Sequence, residues 1–288
     1  MKNGLIVSIA IGEYETDPEN PDIAGSLSKL PVEADVENLR KFAEFLNYQF
    51  LTVGNKYSWT KEEVMNFLRN DVCTQLLDDG GNVQFDGLMV CISSHGLHDC
   101  VLSSDYKKMS RTRIHRCISE NYPELREIPR IFVFDACGGT RDRRESSEIQ
   151  NVDSQSPEDG EERETRKNTE ETKEDEDDMA VVEALQLESR DTEWSAKYKN
   201  PDYNLVAVHG ANEDFVSKMQ ETSVGSYLTY FLTKAVRLNI EHKQRKGLAA
   251  ILKDVQNLLH DEGKQLIRME FFNETQNLRI ERKQSDTE

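Results

Sequence analysis

Two residues in this chain have the side chains and the setting of a covalent catalyst. Cys137 lies in Ile131-Phe-Val-Phe-Asp-Ala-Cys-Gly-Gly139, and His95 lies near the end of Leu88-Met-Val-Cys-Ile-Ser-Ser-His-Gly96. A thiolate attacks a carbonyl carbon, while an imidazole within reach supports the nucleophile and protonates the leaving amine. In both segments an apolar, β-branched run passes into small and polar residues, the pattern of a buried strand that ends. Ligands of open α/β sheets bind beyond those carboxyl ends. The glycines after Cys137 allow a tight turn and leave room for a substrate carbonyl. The backbone amides of Gly96 and Cys137 are the candidates for holding a tetrahedral oxyanion. Cys91, inside its strand, reads as an inert buried thiol, and His98 and His209 receive no catalytic role.

The elements that must position this pair follow from periodicity. Strands are expected at Leu5–Ile11, Phe50–Val53, Leu88–Ser93, Ile131–Asp135, Leu205–His209 and Leu266–Phe272. Between them, helical faces are formed by Val32, Val36, Leu39, Phe42 and Leu46, and by Val64, Phe67, Leu68, Val72 and Leu76. A weaker helix covers roughly Ser110–Glu120. Others begin near Val224 (with Tyr227, Leu228, Phe231, Leu232 and Ala235) and near Leu248 (with Ile251, Leu252, Val255 and Leu259). Thr60-Lys-Glu-Glu63 matches a capping box. Strand–helix alternation predicts an α/β fold: a three-layer α/β/α sandwich with a mostly parallel sheet of about six strands. The final strand would form a sheet edge carrying Leu266, Ile267, Phe271 and Phe272, which self-pairing into a homodimer would cover.

Charge and composition limit the partners. The 288 residues carry a formal net charge of −18, which disfavours nucleic acid and anionic membrane and favours basic peptide segments. Residues 141–193 hold 20 acidic and 8 basic residues without a sustained apolar period, so this stretch is expected to be disordered. The five cysteines form no CxxC pair and no zinc spacing, which points to a reducing, cytoplasmic setting. Lys2 and Leu5-Ile-Val-Ser-Ile-Ala-Ile-Gly12 have the outline of a short signal peptide, but the β-branched content favours a first buried strand. No apolar run reaches membrane-spanning length. The lack of a GxGxxG or P-loop after any strand argues against nucleotide binding.

Ala-Cys-Gly-Gly after an apolar strand, with Ser-His-Gly upstream, resembles the caspase signature. Pro31-Val-Glu-Ala-Asp-Val-Glu-Asn-Leu-Arg40 is similar to the first helix of caspase-like domains. The resemblance implies a p20-like catalytic portion over 1–140, an intersubunit-type linker over 141–193 and a p10-like portion over 194–288. It also implies a cysteine-type endopeptidase acting through a Cys/His dyad and an acyl-enzyme. Aspartate-specific caspases have Gln and Arg where this chain has Asp135 and Gly138. An acid at that place is similar to metacaspases and paracaspases, which cut after Arg or Lys. By the same resemblance Asp35 supplies a second pocket acid and Glu213, in Gly210-Ala-Asn-Glu-Asp-Phe215, a third, with Asp214 the near alternative. Such carboxylates attract a guanidinium or ammonium and reject a P1 aspartate. Lys29 falls near the pocket arginine of aspartate-specific caspases, but no second base lies in 205–215 to complete that pocket.

The acidic calcium loop of metacaspases has no matching spacing here, since Asp99, Asp105 and Asp142 are scattered. No metal or other cofactor is expected. Arg141, Arg143, Arg144, Arg163, Arg166, Lys167, Lys173 and Arg190 in the linker would make self-processing there possible. The competing expectation is a catalytically weak caspase-like module used for regulation or dimerisation.

Overall fold

The computed structural model describes residues 1–15, 27, 29–97, 100–121, 123–136, 204–210, 225–261, 267–271 and 273–284. Six strands form one sheet: β1 (Gly4–Ala10), β2 (Gln49–Leu51), β3 (Gly87–Ser93), β7 (Arg130–Asp135), β8 (Leu205–His209) and β9 (Arg268–Phe271). Their spatial order is β2-β1-β3-β7-β8-β9. Every pair is parallel except β8 with β9. Strands β1, β3, β7 and β8 are buried along their whole length, and continuous runs such as Leu-Ile-Val suit a sheet covered on both faces.

The two covers are distinct. On one face α1 (Glu33–Leu46), α4 (Tyr227–Glu241) and α5 (Leu248–Asp261) pack Leu39, Phe42, Phe231, Leu232, Ile251 and Val255 against Ile6, Met89, Val133 and Val206. On the other, α2 (61–76) and α3 (Arg111–Asn121) set Val64, Leu68, Val72 and Ile114 against Val7, Val90, Phe132 and Phe134. Each fully buried Leu or Phe of this kind is worth about 2–3 kcal/mol of transfer free energy. Helix α2 starts with the expected capping box, in which Thr60 accepts from Glu63 N–H and Glu63 accepts from Thr60 N–H. Its middle, Phe67–Val72, widens to a π-helix that periodicity does not forecast.

Two other features were not anticipated. After β3 the chain turns into a small antiparallel ribbon of β4 (Gly96–Leu97), β5 (Cys100–Leu102) and β6 (Lys108–Ser110). Helix α4 starts at Tyr227 rather than near Val224, because Ser226 caps it by accepting Thr229 N–H. Strand β9 closes one end of the sheet, with Ile267 buried and Phe271 half-buried against the α5 side. Gln265, Leu266 and Phe272 lie outside the described residues, as do Val224 and all of 141–193.

Candidate active site

The strand order changes direction at β1, whose two neighbours β2 and β3 follow it in sequence, so the crevice beyond the carboxyl ends of β1 and β3 is the natural binding place. His95 stands there, two residues past β3 and 7% exposed. Ser93 pairs in register with Asp135. Counting two residues onward from each partner arrives at His95 and at Cys137. Cys137 itself, with Gly138, lies outside the described residues.

The backbone around His95 is fixed by Asp135 and by two neighbours that the sequence did not flag, Leu102 and Tyr14. Ser94 N–H donates to Asp135 O at 3.2 Å, and Leu102 N–H donates to His95 O at 2.9 Å. His95 N–H donates to the Tyr14 hydroxyl at 2.9 Å. That hydroxyl also donates to Ile11 O at 3.2 Å and lies 3.0 Å from Ser94 Oγ. The Tyr14 ring packs 5.1 Å from the His95 ring, centroid to centroid, and 5.9 Å from Tyr106. A tyrosine three residues past Ile11 carries no periodic signal. Its role becomes visible only when β1 and β3 lie side by side.

Gly96 pairs with Val101 in the ribbon. Because Leu102 bonds His95 in the adjacent hydrogen-bonded pair, Gly96 falls at a non-hydrogen-bonded position and its N–H points away from β5. That orientation is what an amide needs if it is to serve an oxyanion.

On the α1 face, Asp35 and Asp135 form a buried acidic pair. Asp35, in the first turn of α1, is fully buried, and Asp135, at the end of β7, is 7% exposed. Ser226 N–H donates to Asp35 Oδ1 at 2.7 Å. Asp35 Oδ2 has no hydrogen-bond partner among the described residues. Burial, then the neighbouring Asp135 charge, pushes the Asp35 carboxyl up to about 7 against the pull of Ser226 and Ser93. Gly225 makes the contact possible: at φ +81 its missing Cβ would sit 2.5 Å from Asp35 Oδ1. The Gly-Ser pair just before an apolar helical run was the available signal for this corner.

Other residues sort plainly. Cys91 is buried, and burial with the Asp35 and Asp135 charges pushes its thiol far up, so it is no nucleophile. Lys29 points to solvent and pairs with Glu13 at 2.8 Å and Glu33 at 4.0 Å. Asp105 accepts from Lys61 N–H and the Ser103 hydroxyl and pairs with Lys107, which leaves it poorly placed to bind a cation. Among the described residues no group of three His, Cys, Asp or Glu is arranged for a metal. His209 is buried: Arg111 Nη1 lies 2.9 Å from its Nδ1, and Glu270 lies 3.6 Å from its Nε2, joining α3, β8 and β9. Glu213, Asp214, His98, Asp99 and Asp142 lie outside the described residues. No helix among the described residues is long and apolar enough to cross a membrane.

A doubly covered, mostly parallel sheet with a histidine at the switch-point end of a central strand is a scaffold that can present a catalytic pair beyond its carboxyl ends. The family model for the caspase domain, Peptidase C14, matches residues 11–282, and the chain belongs to that family. It is a cysteine-type endopeptidase, a hydrolase acting on proteins. Among solved structures, that of caspase-1 from Spodoptera frugiperda is similar in fold, with a TM-score of 0.61 at 16% identity over 99% of this chain and 92% of that one. No curated protein sequence matches.

Proposed function

We propose that the enzyme cleaves after Arg or Lys, with Cys137 as nucleophile, His95 as acid/base, and the amides of Gly96 and Cys137 as oxyanion donors. The observation that carries the basic preference is the buried Asp35–Asp135 pair next to His95. Two carboxylates brought together out of water repel each other, and a guanidinium placed between them would relieve that repulsion with paired hydrogen bonds. An aspartate side chain would add a third negative charge to the same pocket. The pocket acids are those by which the chain is similar to paracaspases and metacaspases, and Glu213 would be the third.

In this reading 1–140 is the p20-like portion and 194–288 the p10-like portion, and the enzyme cuts itself after a basic residue in 141–193. No metal or cofactor takes part in the proposed chemistry, and the setting is the cytoplasm. Peptides with P1 Arg, Lys and Asp, assayed with the wild type and with Cys137→Ala, test the proposal. Turnover of the Arg and Lys peptides alone, abolished by the substitution, is expected. Preferred turnover of the Asp peptide would reverse the specificity. No turnover of any peptide, with or without calcium, would favour a regulatory module.

A further inference from the structure

At the opposite edge of the sheet from His95 lies a cleft of about 300 Å3, lined chiefly by Lys243, Arg245, Lys246, Arg279, Arg282 and Glu281. Topology places it there. Helix α4 starts at Tyr227, just after its cap Ser226 beside Asp35, and its 15 residues carry the chain to the amino edge of the sheet. At that edge Glu281 N–H donates to Met1 O at 2.9 Å.

Five cations and one carboxylate are thus gathered in a chain of net charge −18. Lys246 pairs with Asp254 at 2.6 Å, Glu281 has Lys2 at 3.9 Å, and Arg282 lies over the Phe45 ring. Lys243, Arg245 and Arg279 have no carboxylate within ion-pair distance among the described residues. The carbonyl end of α4 favours cations within its last turn, which covers Lys243 but neither Arg279 nor Arg282.

The loop that presents these cations is held firmly. Lys243 and Arg245 both have φ of 53°, the left-handed region where glycine would be at ease. Lys243 N–H donates to Ile240 O at 3.0 Å and Gln244 N–H to Asn239 O at 2.9 Å. The side chain of buried Asn239 accepts Lys246 N–H at 3.0 Å. Two cations thus occupy positions where the backbone favours glycine, the kind of local cost that can accompany a binding role.

We propose that this cleft binds the acidic segment of the same chain, centred on Glu174-Asp-Glu-Asp-Asp178. Three facts select that occupant. Its charge is complementary, five consecutive acids against three cations that have no carboxylate partner among the described residues. The connection starts after Ala136 at the carboxyl edge of the sheet and ends before Asn204 at the amino edge, so it must pass to the edge where the cleft opens. The intervening 67 residues (137–203), at about 3.3 Å each, far exceed that distance. A tethered segment also acts at an effective concentration that rises to about millimolar, so even a weak electrostatic contact is populated.

Zero-length carbodiimide coupling of the full-length Cys137→Ala chain, read by mass spectrometry, tests this independently of the protease reading. Expected are links from Lys243 or Lys246 to acids of 141–193, at least about threefold above those from Lys29 or Lys41 and falling severalfold in 0.5 M salt. Lys243→Gly with Arg245→Gly relieves the left-handed backbone, so the thermal midpoint should hold or rise while links from Lys246 fall. Links no more frequent than at Lys29 and Lys41 would overturn the proposal. So would links found only between heavy- and light-isotope copies, which would assign the cleft to a second molecule.

Discussion

At the scale of single residues the acidic pair ties stability to specificity. The Asp35 carboxyl is raised from its ordinary value near 3.8 to about 7, so between those pH values the folded chain binds a proton that the unfolded chain has lost. The stability this provides is complete below about pH 4 and is lost as pH rises through about 7. Asp35→Asn keeps the oxygen that accepts Ser226 N–H and removes the charge. It should therefore leave the thermal midpoint unchanged at pH 4 and raise it at pH 8, by up to an equivalent of about 4 kcal/mol. The same substitution should lower kcat/KM for Arg peptides at least tenfold, about 1.4 kcal/mol of lost charge pairing. In the wild type, turnover of Arg peptides relative to neutral ones should increase between pH 6 and 8, which a paired-substrate pH series reads directly. Tyr14 carries a second residue-scale prediction. Tyr14→Phe keeps the ring against His95 but leaves His95 N–H without its acceptor, so kcat should fall roughly tenfold with KM little changed. A fall confined to KM would mean that the hydroxyl serves substrate binding instead.

Among the elements, the corner between β7, α1 and α4 is the least tolerant. Gly225→Ala would place a methyl carbon 2.5 Å from Asp35 Oδ1 at a backbone angle that L residues avoid. The expected loss is on the order of 2–3 kcal/mol, measured by chemical denaturation, together with weakened turnover of basic substrates. How much of this was legible beforehand depends on the kind of signal each element emits. Strands such as Leu88–Ser93 and helices such as 33–46 announce themselves because burial repeats at fixed spacing, and their sheet order then brings His95 to the switch point. The β4–β6 ribbon is too short to show alternation. The π-helical turn at 67–72 keeps the same residues buried with one altered backbone step. Tyr14, Gly225 and Ser226, and the Arg111–His209–Glu270 chain act through contacts between distant segments. No local pattern encodes such contacts, although Ser226 before an apolar run was readable as a cap. Asp35 and Asp135 were found only through a family resemblance, since a lone acid near a strand or helix end is ordinarily a solvated charge.

For the molecule as a whole, β9 is the last strand on its side of the sheet among the described residues. If two copies join there, sedimentation velocity should show a monomer–dimer equilibrium. Ala207 and His209 turn their backbone groups toward β9, so Glu270 and Arg268 bond inward and Met269 N–H faces outward. Met269→Pro, which removes that outward N–H, should move the equilibrium toward monomer. Met269 also packs on the α5 side, so thermal melting of the variant should be measured alongside. The sheet has a further consequence at this scale. Its two inner neighbours β7 and β8 are contributed by stretches on opposite sides of residues 137–203, yet they share five registered pairs from Arg130–Leu205 to Phe134–His209. A single cut in the intervening chain would therefore divide the covalent molecule without dividing the folded one. Such a nicked enzyme would run as two bands under denaturing conditions and as one particle in gel filtration. Its unfolding would then release two strangers rather than one chain, so its melting midpoint would begin to depend on protein concentration. Once melted, it would have to find its other half again by diffusion.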